Sequence, residues 1–290
     1  WDEYKDITHD NEWLMTNALA HPSYEGKTPP VPEGYPFNGL KSQPSGGFDW
    51  GVLDKKEDQY GDAVAVPWAI DFLNRKQDKP FFLACGIFRP HLPWYTPKRF
   101  FGLYPLESIR LPKTPAEDLD DVPAEGRVLS AKRRAEFLNI KQHGKWKEAV
   151  QACLAADSFA DACVGHVLSA LEKSPHRDNT IIVLWTDHGW HLGEKQHWAK
   201  RSLWGESTRV PLIVAGPGLA KDNCLRSVGL IDLYPTLTEL CGLAKPPQTL
   251  EGHSLVPLLR RPSAAWPHPA ITTFHQNDHT IRTERWRYIR

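Results

Sequence analysis

Asp187 and His188 stand side by side, followed at once by Gly189. A carboxylate oxygen next to an imidazole can hold a divalent metal, and the pair alone does not select which one. The same pair can also serve structure: Asp187 as a cap on the segment that follows, His188 as a packed loop residue. Gly189 would let the chain turn sharply and come close to a ligand. The next stretch, GWHLGEKQHWAK, brings Lys195 and Lys200 into aromatic, His-rich surroundings. A lysine held near a metal would bind a doubly charged oxyanion such as sulfate or phosphate. A solvated surface charge is the ordinary alternative for either lysine.

These residues need a scaffold, and the hydrophobic pattern supplies one. TIIVLWTD, residues 180–187, reads as a strand that delivers Asp187 at its end. VPLIVAGPG, residues 210–218, reads as another. PFFLACGIF, residues 80–88, is continuously apolar, which suits a strand buried on both faces, and it leads into Arg89-Pro90-His91. Helices are expected over 62–76, with Pro67 tolerated near the first turn, over 145–173, and over 233–241, with Asp232 as cap and Pro235 in the first turn. The last twenty residues look like two strands. Residues 1–60 are rich in Pro, Gly and aromatics and read as a long irregular excursion. Strands alternating with helices predict an α/β fold, a mostly parallel central sheet with helices on both faces. Ligands of such sheets sit beyond the carboxyl ends of the strands. That rule would place Asp187, His188 and His91 near one rim.

Composition narrows the partners. The chain has 290 residues, enough for one large α/β domain or two smaller ones. Lys+Arg and Asp+Glu are equal at 35 each, which gives no reason to expect nucleic acid. No apolar run reads as a membrane span, and no leader is visible at WDEYKDITHD. The five cysteines, Cys85, Cys153, Cys163, Cys224 and Cys241, match no zinc spacing and read as small buried hydrophobes. Asp157 and Asp161 share a helix face, which favours backbone hydrogen bonding at the edge of a buried stripe over an acid pair. The acidic run 117–121 lacks an EF-hand pattern and reads as a solvated loop. No Gly-x-Ser-x-Gly motif and no phosphate-binding P-loop occur.

TIIVLWTDHGWHLGEKQHWAKRSLWGESTRVPLIVAGPG resembles the later signature of type I sulfatases, within the alkaline phosphatase superfamily. FRPHLPWYTPKRFFGLYPLESIRLP resembles the subgroup of iduronate-2-sulfatase-like sulfatases. SFADACVGHVLSAL, VGLIDLYPTLTELCGL and TIRTERWRYIR fit the same family in the same order, so the resemblance covers most of 60–290. It implies an alkaline phosphatase/sulfatase-like catalytic domain over 1–265, incomplete at its N-terminal side. The start of a small antiparallel C-terminal subdomain would occupy 266–290. Asp187 and His188 would then be metal ligands, usually for calcium. Lys200 would contact the sulfate, and His91 the sulfate or its leaving oxygen, both in catalytic roles. Trp190 and His191 would stand on the substrate-binding pocket wall.

The family's nucleophile is a formylglycine made within a Cys/Ser-x-Pro/Ala-x-Arg motif. That motif is missing from these residues, so the resemblance implies a fragment whose nucleophile lies upstream of Trp1 and which is inactive by itself. The whole protein would hydrolyse a sulfate ester, of a small molecule or a sulfated glycan, in a periplasmic, secreted or lysosomal setting. Two alternatives stay open. One is a phosphodiesterase or phosphonate hydrolase of the same superfamily. The other is a non-catalytic relative that binds sulfated glycan.

Overall fold

The computed structural model describes residues 3, 34, 36–40, 48–53 and 56–290, without the side chains at positions 64, 129 and 132. Most of the irregular stretch expected over 1–60 therefore lies outside the described residues. The chain divides into two compact units: residues 1–118 with 132–177, and residues 119–131 with 178–290.

In the first unit, strand β1 (Trp50–Gly51) pairs in parallel with β2 (Trp94–Tyr95). Beside β1 the buried carboxylate of Asp49 accepts from the Phe37 and Asn38 N–H groups, each at 2.8 Å, and from the Tyr95 hydroxyl at 2.7 Å, with the Trp50 backbone adding to these. Burial raises its pKa, and these hydrogen bonds oppose the rise. Helix α1 (Gly61–Asn74) and the short α2 (Lys98–Phe101) follow in the same unit. Pro67 lies inside α1, past the first turn where it was expected, so the Ala63 carbonyl receives no N–H from it. Helix α3 (Ala124–Gln142), with residues in both units, is missing from the sequence reading. Its apolar residues are few and its charges many, so the 3.6-residue period is faint.

Helix α4 (Trp146–Lys173) matches the expected 145–173. Its buried face carries Ala155, Phe159 and Cys163, which close a core with Tyr60, Val66, Tyr95 and Phe100. Phe159 meets the rings of Tyr60 and Phe100 at 5.7 and 5.3 Å. By length and composition alone α4 could cross a membrane, contrary to the sequence reading. Its buried residues nevertheless belong to this core. Asp157 and Asp161 are both exposed.

The segment 80–88 departs from expectation. It forms no strand, and Phe82 is 70% exposed. No strand among the described residues pairs with it. Phe81 instead meets the rings of Phe72 and His176 edge-on, and Ile87 packs on the core of this unit; a continuous apolar run reads the same in either setting. Of the cysteines, Cys153 and Cys163 are buried as expected, but Cys85, Cys224 and Cys241 are exposed. Burial pushes the Cys163 thiol up to about 12.

In the second unit, β3 (Ile182–Trp185) delivers Asp187. The hairpin strands β4 (His191–Leu192) and β5 (Trp198–Ala199) follow, then the single turn α5 (Gly205–Thr208) and β6 (Leu212–Ala215). β3 pairs with β6 antiparallel, with Ile182 opposite Ala215 and Trp185 opposite Leu212. Helix α6 (Leu233–Leu240) lies where expected with Asp232 at its N-cap position, but the Asp232 side chain makes no capping hydrogen bond to it. Its carboxylate instead accepts the Gly229 and His253 N–H groups, both at 2.8 Å. Helix α7 (Val256–Arg260) places Leu255, Leu258 and Ala264 in a small core. Strands β7 (Ala270–His275), β8 (Asp278–Arg282) and β9 (Arg287–Ile289) form an antiparallel meander, three strands where two were expected. The fold is α/β and ends in an antiparallel sheet. Among the described residues, only β1 and β2 pair in parallel.

Candidate functional site

β3 ends two residues before Asp187, which leaves that carboxylate 75% exposed at the strand's carboxyl end. His188 Nε2 lies 3.7 Å from Asp187 Oδ2. Its Nδ1 lies 3.0 Å from the Gly189 carbonyl. A carbonyl only accepts, so Nδ1 is the donor there, and opposite the Lys200 ammonium, which only donates, Nε2 is the acceptor through its lone pair. That lone pair faces a cation: Lys200 Nζ stands 2.7 Å from it. Backbone orientation of one ring nitrogen is how proteins prepare the other for a metal.

The hairpin explains how Lys200 returns to His188. His191 pairs with Ala199 and Leu192 with Trp198, so the chain doubles back. The turn is tied by Glu194, whose Oε2 accepts the Leu192 N–H at 2.8 Å and whose carbonyl accepts the His197 N–H at 3.0 Å. Lys195, Gln196, Ala199 and Arg201 all have positive φ, between 50° and 69°. For residues with a Cβ this costs roughly 1–2 kcal/mol each, so the surrounding packing must impose it.

Gly189 is needed here for close backbone packing. A Cβ on it would sit 2.0 Å from the Glu206 carbonyl oxygen. Its N–H donates to the Ser207 carbonyl at 2.8 Å. The close approach shown here is to α5.

The second unit thus brings Asp187, His188 and Lys200 together. Trp190 follows, its ring 6.4 Å from that of His188. His191 is fully buried and does not stand on a pocket wall. Its Nδ1 lies 3.2 Å from the Glu194 carbonyl and its Nε2 2.8 Å from Ser202 Oγ. Burial pushes its pKa down to about 4, against a smaller opposing effect of the Glu194 hydrogen bond. Lys195 is partly buried, 3.8 Å from Asp121 of the acidic run.

His91 belongs to the first unit. Asp62 prepares its approach, accepting the Phe88 N–H at 2.6 Å and the Arg89 N–H at 3.3 Å. His91 Nδ1 donates to the Leu92 carbonyl at 2.6 Å, and its ring lies 4.7 Å from Phe88. Asp62, Ser202, Ser207 and His197 all went unnoticed in the sequence. Their partners are set by loop closure, for which no periodic signal exists.

The model of the Sulfatase family matches residues 8–243. The chain belongs to the sulfatase family. The match begins well upstream of residue 60, where the motif resemblance starts. A sulfatase of Formosa agariphila is 41% identical over 243 residues, spanning 83% of this chain and 48% of that protein. The iduronate 2-sulfatase of Mus musculus is 35% identical over 235 residues, 68% of this chain and 42% of that protein. The chain thus spans about half the length of these curated relatives. Among solved structures, the phosphonate monoester hydrolase of Silicibacter pomeroyi superposes with a TM-score of 0.73 at 19% identity. That superposition covers 97% of this chain and 57% of the hydrolase, and it supports the shared α/β fold. Membership in the sulfatase family and this fold agree with the signature over residues 180–218.

Proposed function

We propose that the whole protein is a sulfuric ester hydrolase acting on a sulfate ester of a sugar or glycosaminoglycan. The observation that carries this reading is the Lys200 ammonium 2.7 Å from His188 Nε2, beside an exposed Asp187, in a chain of the sulfatase family. The similarity to iduronate 2-sulfatase supports a sugar sulfate as substrate.

Asp187 and His188 would hold one divalent metal, which we take as calcium from the family resemblance. The donor types fit part of a site, an exposed carboxylate and an imidazole nitrogen 3.7 Å apart, and the Lys200 ammonium that now occupies the Nε2 lone pair would have to turn from it for His188 to ligate. Among the described residues no group of three or more such ligands occurs, so further donors are required. When bound, the metal supplies positive charge next to the sulfate oxygens. Lys200 would bind a sulfate oxygen and offset charge that changes during the reaction. His91, from the family resemblance, would give its proton to the departing alkoxide oxygen. Trp190 would line the pocket. The formylglycine of the family supplies covalent attack on sulfur. A periplasmic, secreted or lysosomal setting goes with this reading.

The test uses the full-length protein. Lys200→Ala should slow aryl sulfate turnover by about a hundredfold or more, the usual cost of one charge-stabilising donor. Its metal content should stay at the wild-type level. Asp187→Ala should lose metal and turnover together. Normal kinetics in Lys200→Ala would return this lysine to an ordinary surface charge. Turnover of an aryl phosphonate with none of the aryl sulfate would reassign the enzyme to phosphoryl chemistry.

A further inference from the structure

Lys200 sits between two residues in a conformation that L-amino acids avoid. Ala199 has φ 66° and Arg201 φ 69°, and neither is Gly, Asn or Asp. A surface loop with such a bracket would relax unless something held it.

The holding groups lie behind the hairpin. Trp198 and His197 are both fully buried. His197 Nε2 donates to the Lys200 carbonyl at 3.0 Å. The ring of His191 meets that of His197 edge-on at 4.5 Å, and Trp204 packs against both at 5.8 Å. His191 hydrogen-bonds Ser202, whose hydroxyl bonds that of Ser207 at 2.9 Å. The Ser207 carbonyl in turn accepts the N–H of Gly189, next to His188. The circuit closes through Lys200 Nζ at His188 Nε2. A left-handed bracket around one lysine is thus fastened by hydrogen bonds to the turn that carries His188.

We propose that His197 is a positioning residue: by gripping the Lys200 carbonyl it holds the Ala199–Arg201 bracket and aims the ammonium at His188, with His191, Ser202 and Ser207 as its backing. The consequence for oxyanion binding rests on the reading of Lys200 given above. The positioning itself rests on this geometry alone.

Two measurements on the full-length protein separate these claims. The first is the acylation rate of the Lys200 amine by acetic anhydride, read by mass spectrometry against the exposed Lys221. His197→Leu removes the donor and should raise the Lys200 rate severalfold. His197→Gln, whose amide reaches toward the same carbonyl, should restore the wild-type rate. The second is the dissociation constant of inorganic sulfate, with each His197 variant made in the Lys200 and Lys200→Ala backgrounds. His197→Leu should weaken sulfate binding about tenfold with Lys200 present and have no further effect in Lys200→Ala, the signature of one coupled unit.

Should His197→Leu not fold, His197→Asn, whose shorter amide stops short of the carbonyl, takes its place. An unchanged Lys200 acylation rate would overturn the proposal. So would a loss of sulfate affinity that is undiminished in Lys200→Ala, because His197 would then act on the fold at large. A raised acylation rate with sulfate binding indifferent to both residues upholds the positioning and overturns the oxyanion reading.

Discussion

His191 shows how much a residue's neighbours matter beyond its type. It follows the metal-type pair closely and is an imidazole, which makes it a natural candidate for substrate contact. Instead it is wholly buried, with ring nitrogens against Glu194 and Ser202 and its face toward His197 and Trp204. Burial holds its pKa at about 4 in the folded state, below the ordinary value of 6.5. As pH falls, the unfolded chain takes up its proton first. The stability His191 contributes is therefore full above 6.5 and is lost progressively down to 4. Between pH 7 and 5 the loss should be roughly 2 kcal/mol, from the linkage of a single group. Urea unfolding at the two pH values measures it, with His191→Gln as reference. The wild type should lose more stability than the variant by about that amount. Equal losses would mean that His191 titrates as an exposed imidazole does, despite its position.

At the scale of elements, legibility followed periodicity. Helix α4 could be read to within a residue because its apolar positions recur at three and four. Strands β3 and β6 were visible as short apolar runs, and α6 as a Pro-started turn. Helix α3 was not, since its charges dilute the period. The two-residue strands β4 and β5 are too short to have any period at all, yet they bring Lys200 to His188. The Asp187-His188 pair was legible because a strand end marks it. Ser202 and Ser207 were not, because only the closed loop defines their partners.

The most legible element also carries the clearest stability prediction. Phe159 on α4 is buried between Tyr60 and Phe100. Phe159→Ala should destabilise the first unit by about 3–5 kcal/mol, transfer and cavity costs together. Denaturant unfolding would show this as a lower midpoint at an unchanged slope. A loss under about 1 kcal/mol would mean that the surrounding rings collapse into the space, as happens only at loosely packed sites.

At the scale of the whole molecule, under the proposed function this chain would supply one part of a catalytic apparatus. The Asp187, His188 and Lys200 cluster offers two metal donors and one ammonium. Metal binding by two donors is weak for an ion that takes six to eight oxygens. No Cys/Ser-x-Pro/Ala-x-Arg motif occurs in the 290 residues, and the chain spans about half the length of its curated relatives. A charge-stabilising site without a nucleophile lowers the barrier of no covalent step. The 290 residues taken alone should therefore leave an aryl sulfate at the buffer rate, with calcium present or removed by chelation. The full-length protein should turn it over and lose that activity on chelation. The measurement is release of a chromogenic phenol. Turnover by the 290-residue chain, abolished by Asp187→Ala, would mean that a nucleophile lies within these residues after all. The Thr186 hydroxyl, which donates to the His188 carbonyl at 3.2 Å, would then be the first to substitute.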